Sequence, residues 1–466
     1  MIGRDEIMTI ADQIGLRPQV VEKDYVLGWL LAGIFRDPEL SQSFVFKGGT
    51  CLKKCYFETY RFSEDLDFTV LEPRHVDKEF LTARFKALSE WLYDETGIEV
   101  PADKLSFEIW DTPNGGRAGE GKVSYRGPIA PNNKDLPRIK LDLTTDEKLV
   151  MPKTRRGVVF SYTDEPEGGI HAECYAYAEV FGEKVRALAQ RTRPRDLYDV
   201  INLYRHEEFN IATAVIRDVI KQKCDFKKIP FPTLAAIQPH KDELFADWKV
   251  MLAHQLPQLP PAESYWESLK EFFDWLMGKL TRTHLGTYPT AEAAEVVRLP
   301  VGAIRLPGRN AAFMEVIRFA AANHLCVELD YTDKQGKRSK RVIEPYSLRR
   351  SSKEDLLLMA VKADTGEARS YLVEQIQGAQ MTNRSFTPRY QIELTPISLP
   401  QAPALERKIQ TKSMHWGTKP VHIYRCPMCN RKFEHSTKSA KLHAHKNPSG
   451  FSCHGKTGYY ETTIYK

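Results

Sequence analysis

The spacing of hydrophobic and polar positions changes repeatedly along the chain, and each change marks an element. Gln19 to Phe35 has apolar residues at helical intervals, whereas Phe44-Val-Phe-Lys47 is a short apolar run of the kind a buried strand gives. Asp65-Leu-Asp-Phe-Thr-Val70 alternates polar and apolar residues, as a half-exposed strand does, and Arg138-Ile-Lys-Leu-Asp-Leu143 does the same. Asn114-Gly-Gly-Arg117 predicts a turn and Lys122 to Tyr125 a strand. Glu173 to Gln190 and Leu197 to Tyr204 return to helical spacing, and residues 206 to 290 are mostly helical with proline breaks at Pro230, Pro232, Pro257, Pro260 and Pro261. A second region begins near Val301. A helix over Ala311 to Asn323 precedes strands at Leu325 to Tyr331, Arg341 to Glu344, Leu356 to Val361 and Arg369 to Val373, a small barrel or sandwich pattern. The proline-containing stretch Pro396 to Pro403 then leads into the tail.

At 466 residues the chain exceeds one ordinary core, so about three domains are expected. With 42% hydrophobic and 27% charged residues it reads as soluble and globular. The longest apolar run, Val26 to Phe35, is about half of a bilayer span, and the amino terminus carries acids where a secretory signal would be apolar. A cytoplasmic protein without membrane partners is expected. Charge alters this picture at one end. Residues 401–466 hold 12 Lys and Arg against 3 Asp and Glu, a net of +9, which leaves residues 1–400 at −3. A polyanionic partner for the tail is one reading, a solvated basic surface the other. Of the eight cysteines, Cys51, Cys55, Cys174, Cys224 and Cys326 are scattered and read as buried thiols, while Cys426, Cys429 and Cys453 cluster as metal ligands do.

The candidate chemistry lies in the first domain. Carboxylates at i and i+2 of a strand share a face, so Asp65 and Asp67 can hold Mg²⁺ together, as nucleotidyl transfer requires. Lys47-Gly48-Gly49-Thr50 joins an apolar strand to a helix, where glycines let backbone N–H groups approach a phosphate and Thr50 can add a hydroxyl. Each pattern alone is common: a D-x-D is usually a solvent-facing strand edge, and a Gly-Gly turn is usually only a turn. Their order brings a resemblance. Phe46-Lys-Gly-Gly-Thr-Cys-Leu-Lys53 and Arg61-Phe-Ser-Glu-Asp-Leu-Asp-Phe68 resemble motifs of the AbiEii/AbiGii family of bacterial nucleotidyltransferase toxins. So do Val21-Glu-Lys-Asp-Tyr25, Val180-Phe-Gly-Glu-Lys-Val-Arg-Ala-Leu188 and Arg195-Asp-Leu-Tyr-Asp199, so that residues 20 to 205 are covered.

The resemblance implies an α+β protein whose first domain has a polymerase-β-like nucleotidyltransferase fold with a helical extension (1–290). It also implies that Lys184 contacts the nucleotide phosphates and that Asp196 is a further active-site acid. Lys184 stands on an apolar helical stripe and must either snorkel or meet an anion. Asp142 is the candidate third carboxylate, with pairing to Lys140 or Arg138 as the plainer reading. Asp199 reads as a helix-face acid paired with Arg195, and Arg61 and Ser63 as shapers of the turn, with Ser63 near the nucleotide.

Residues 311 to 386 resemble a WYL domain, a small Sm/SH3-like β-barrel, through Val327-Glu-Leu-Asp-Tyr331, Lys340-Arg-Val-Ile-Glu-Pro-Tyr-Ser-Leu348 and Ala368-Arg-Ser-Tyr-Leu372. Leu356-Leu-Leu-Met-Ala360 replaces the Trp-Tyr-Leu of that family. The resemblance would turn Arg341 and Arg369 toward a nucleic acid or nucleotide; edge-strand charges are the alternative. A WYL-like domain is thus expected over 291–400. In the tail, Cys426-Pro-Met-Cys429 with His445 and Cys453 resembles a bacterial zinc ribbon (420–466) in which Cys₃His closes a structural Zn²⁺ site, His443 and His454 being rivals for the fourth position. Tyr424, Phe433, Tyr459 and Tyr460, with the tail's charge, suit RNA or DNA contact. The expectation is an enzyme that transfers an NMP from an NTP to an acceptor, RNA or tRNA, in a toxin–antitoxin or phage-defence setting with a cognate antitoxin. The alternative is a nucleic-acid- or nucleotide-binding regulator whose first domain is inactive.

Overall fold

The computed structural model describes residues 1–57, 61–129, 135–206, 211–282, 285–289, 295–296, 310–333, 335–394, 420–426, 428–429, 431–437, 439–446, 452–453 and 457–465. The start of the second region near Val301, the linker at 396–403 and the rival ligand His454 lie outside them.

One mixed sheet organises the first part of the chain. It contains β1 (Phe44–Lys47), β2 (Asp65–Val70), β3 (Leu105–Asp111), β4 (Arg117–Ser124), β5 (Arg138–Thr144), β6 (Thr154–Val158) and β7 (Ile170–Cys174), in the order β3-β4-β5-β2-β1-β7-β6. β2 lies parallel to β5 and β1 parallel to β7, while β1 and β2 are antiparallel. The alternation expected of Arg138–Leu143 holds, and that of Asp65–Val70 holds as far as Phe68, after which Thr69 is buried as well. The expected helix from Glu173 begins later. Ile170–Cys174 is a strand alternating buried and half-buried positions, and the helix starts at Tyr177.

Helices α1 (Arg4–Ile14), α2 (Pro18–Arg36), α3 (Pro38–Ser43) and α4 (Gly48–Cys51) surround the strands. The last runs directly into a π-helical turn at Leu52–Tyr56. Pro18 starts α2 at a position where no backbone donor is missed, and Asp37 caps α3 by accepting from the backbone N–H groups of Glu39 and Leu40. Then follow α5 (Lys78–Thr96), α6 (Tyr177–Arg191) and α7 (Pro194–Arg205), and an extension of α8 (Thr213–Lys227), α9 (Leu234–Ile237), α10 (Lys241–Leu252) and α11 (Ala262–Leu276). A continuous apolar core runs from Ile2 to Leu276, so the extension is packed into the sheet domain.

A second sheet joins β8 (Glu295–Val296), β9 (Leu325–Thr332), β10 (Arg338–Arg350), β11 (Leu356–Lys362), β12 (Ala368–Leu372) and β13 (Ile376–Ser385) in the order β12-β11-β10-β9-β13, with β8 on β10, against α12 (Asn310–Ala322). β13, unforeseen from its largely polar sequence, closes the sheet on β9. The tail forms a three-stranded sheet of β14 (Pro420–Arg425), β15 (Lys432–His435) and β18 (Tyr459–Tyr465), and a small hairpin of β16 (His445–Lys446) with β17 (Ser452–Cys453). The architecture is α+β throughout. No helix among the described residues is long and apolar enough to cross a membrane.

Candidate active site

The register of the central strands lays a charged row across one face of the sheet. Lys47 pairs with Asp67 across β1 and β2, Asp67 with Asp142 across β2 and β5, and Glu120 with Asp142 across β4 and β5. Residues in register share a face, so Lys47, Asp67, Asp142 and Glu120 are side-by-side neighbours, with Asp65 two residues along β2. Asp142 is also paired with Lys140 Nζ at 2.9 Å, the pairing that the plainer reading of it expected. Burial pushes the carboxyl of Asp67 up to about 6; Lys47 and Lys184 oppose the rise, and Asp142 and Asp65 add to it. Burial also raises Asp65, with Asp142 and Glu64 reinforcing it against Lys23 and Lys140. Oxygen donors whose charges repel one another are the set a hard divalent cation neutralises, so these residues fit Mg²⁺.

The turn between β1 and α4 is shaped around this row. Gly48 has φ +81°, and a Cβ there would stand 2.0 Å from Asp67 Oδ2, so only glycine fits beside that carboxylate. At Gly49 a Cβ would meet Arg61 Nη2 at 2.6 Å and Ser63 Oγ at 3.1 Å, which places Ser63 against the turn as expected. Thr50 is buried and its hydroxyl donates to the carbonyl of Asp65 at 2.5 Å. That hydroxyl braces the strand bearing the acids in place of standing free for a phosphate.

The acids of α7 have partners that local spacing did not reveal. Asp199 was expected to pair with Arg195; its carboxylate is instead gripped by Arg61, through Nε at 2.7 Å and Nη2 at 2.8 Å, and lies 2.7 Å from Lys184 Nζ. The reason is burial: Asp199 is fully enclosed, and Arg61, only 3% exposed, reaches it from the loop before β2. Burial would raise this carboxyl, but Arg61 and Lys184 hold it well below the usual carboxylate range. Lys184, on its apolar stripe, has therefore met an anion. Asp196 is also fully buried, with both oxygens taken by Arg191 at 2.7 and 2.8 Å, and stands 4.0 Å from Lys184. Sequence reasoning missed Glu183, Lys223 and Glu179. Their signal was available as charges placed among the apolar positions of α6 and α8. Cys51, Cys55 and Cys174 are buried free thiols as expected, yet not scattered: their sulfurs lie within 4.8 Å of one another.

The tail gathers the second ligand set. Cys426, Cys429, His445 and Cys453 bring one ligand atom each within 4.8 Å of the others, and Cys426 Sγ lies 3.6 Å from Cys453 Sγ. The register of β16 with β17 sets His445 opposite Cys453. His445 Nδ1 bonds the carbonyl of His443 at 2.8 Å, and its buried Nε2 has no hydrogen-bond partner. That arrangement fixes the tautomer with Nε2 able to ligate, so the four residues fit tetrahedral Zn²⁺. His443 gives its carbonyl to this arrangement.

On the second sheet, Arg341 lies over the rings of Tyr331 and Tyr371, and Arg369 pairs with Glu367 at 2.5 Å. Leu356-Leu-Leu-Met-Ala360 forms most of β11, inside the sheet.

Two protein families match the chain. The family model described as "Nucleotidyl transferase AbiEii toxin, Type IV TA system" matches residues 29–277, and the WYL domain model matches residues 312–381. Among solved structures, the nucleotidyltransferase toxin MenT4 of Mycobacterium tuberculosis H37Rv is 18% identical, with a TM-score of 0.39, over 59% of this chain and 90% of that one. The proteasome accessory factor B/C of Arthrobacter aurescens is 14% identical, with a TM-score of 0.16, over 62% of this chain and 41% of that one. No curated protein matches. The first model spans more than half of the chain and encloses Lys47 through Asp199: the protein belongs to the AbiEii nucleotidyl transferase toxin family and carries a WYL domain behind its nucleotidyltransferase fold.

Proposed function

We propose that this nucleotidyltransferase moves an NMP from an NTP to an RNA acceptor, with tRNA the first candidate, and that its toxicity is countered by a cognate antitoxin. The observation that carries this reading is the strand register that sets Asp67 beside both Lys47 and Asp142. Asp65 and Asp67 would hold Mg²⁺, and Asp142, on the same face, is better placed to assist than Asp196, which is committed to Arg191. Bound there, the ion would neutralise triphosphate charge and favour the attacking hydroxylate. The chain's own groups then bind and orient. Lys47, the backbone N–H groups of Gly48, Gly49 and Thr50, the Ser63 hydroxyl and Lys184 hold the phosphates, with Lys184 kept in place by Asp199. Zn²⁺ on Cys426, Cys429, His445 and Cys453 would hold the tail in shape. The +9 charge of residues 401–466 and the aromatic side chains of Tyr424, Phe433, Tyr459 and Tyr460 favour RNA over protein as acceptor.

The test supplies the full chain with α-labelled NTPs, Mg²⁺, total RNA and a protein extract. Label is expected in RNA, and Asp67→Ala should abolish it. Label found only in protein would replace the acceptor assigned here, and equal labelling by wild type and Asp67→Ala would refute the site.

A further inference from the structure

Behind Lys47 runs a line of alternating charges that the acid row does not use. Lys47 is 8% exposed, and its Nζ lies 3.4 Å from Glu183 Oε1. The other oxygen of Glu183, Oε2, is buried without a hydrogen-bond partner and lies 3.7 Å from Lys223 Nζ. Lys223, 1% exposed, is held by Glu179 at 2.6 Å and bonds the carbonyl of Lys148 at 3.2 Å. Glu179 accepts from the backbone N–H groups of Val150 and Met151. The line Glu179–Lys223–Glu183–Lys47 thus passes from α6 to α8, back to α6 and on to β1, and ends at the residue in register with Asp67.

Buried ion pairs are a poor way to join helices, because desolvation consumes most of the attraction. Nor do α6 and α8 need one, since they pack closely enough that a Cβ on Gly182 would stand 2.5 Å from Val219. The line has a different consequence. Lys47 has three anions within electrostatic reach, Glu183, Glu147 and Asp67; it is hydrogen-bonded to the first, and the second is paired with Arg186 and Lys227. Without Glu183 its ammonium would be drawn onto Asp67, the carboxylate that the cation site requires.

We propose that Glu183 is a positioning residue, which with Lys223 behind it holds the Lys47 ammonium clear of Asp67 and ready for the triphosphate of the NTP. This rests on the reading of Lys47 as a phosphate contact. Burial pushes the Glu183 carboxyl up, but Lys47, Lys223 and Arg186 outweigh it and hold it at about 2, so the anchor is charged at neutral pH.

The full-length enzyme tests this through Glu183→Gln, which keeps the shape and removes the charge, and Glu183→Asp, which keeps the charge. Glu183→Gln should raise KM for the NTP about tenfold and leave kcat within about threefold, and Glu183→Asp should fall between it and wild type. In a Lys47→Met background, Glu183→Gln should add nothing to KM, whereas a purely structural role would persist there and would lower the melting temperature. Independent, multiplying effects of the two substitutions on KM overturn the proposal, as does a wild-type KM in Glu183→Gln. If Lys47→Met itself leaves KM unchanged, the assignment of Lys47 fails and takes this proposal with it, while the enzyme's activity stands.

Discussion

Gly48 carries a constraint at the smallest scale, because its positive φ and the carboxylate 2.0 Å from its missing Cβ both exclude a side chain. Gly48→Ala should therefore displace Asp67 and lower kcat by about 100-fold or more, since errors near 1 Å cost that much at reacting centres. A wild-type kcat in that variant would mean that Asp67 is not held by the turn. Asp199 allows a prediction with a pH sign. Its carboxyl is depressed in the fold, so its contribution is complete above the unfolded carboxylate pKa and is lost as pH falls toward the folded value. Asp199→Asn should cost about 3–5 kcal/mol at pH 7, as removing one partner of a buried pair does. Urea titrations should show the gap to wild type narrowing by about 1 kcal/mol between pH 7 and pH 3. A gap that widens toward acid would contradict the pairing.

At the scale of elements, β2 and β5 were legible because each is half-exposed and alternates, and the Gly-Gly turn because it separates an apolar strand from a helix. β6, Thr-Arg-Arg-Gly-Val, was not: pairing with β7 holds it, and its own pattern shows little apolar bias. β7 was misread because its five residues run into Tyr177–Arg191, whose stronger helical period masks so short an alternation. Of the site, Asp65, Asp67 and Lys47–Thr50 were readable from spacing and Asp142 was a candidate from a neighbouring strand, while Glu120 was not foreseen and the Arg61–Asp199 grip joins residues 138 apart that no local period connects. Among the described residues the tail buries only Ile423, Tyr424, Cys426 and Leu442 as apolar core, so its folding should depend on metal. Removing zinc with a strong chelator should expose residues 420–465 to protease and leave the main thermal transition of the first domain in place. An unchanged digestion pattern in demonstrably metal-free protein would contradict this.

Across the whole molecule, the WYL domain is joined to the enzyme through Phe319 of α12, which belongs to the first domain's core, and through a polar contact. Asn323, directly after α12, accepts from Tyr198 Oη at 2.7 Å and Tyr265 Oη at 3.1 Å and is itself buried. Tyr198 lies on α7, between Asp196 and Asp199, so the junction and the acids share one helix. Asn323→Leu would remove the acceptor that two buried hydroxyls share and should cost about 2 kcal/mol, visible as a lower melting temperature. An unshifted transition would mean that the junction is not cooperative with the core. The central claim, that the Lys47–Asp67–Asp142 row transfers a nucleotidyl group, is tested most directly by supplying RNA and the same NTP labelled at the α- or at the γ-phosphate. α-Label should enter RNA in wild type and not in Asp67→Ala, while γ-label leaves as pyrophosphate; γ-label retained on the acceptor would contradict nucleotidyl transfer.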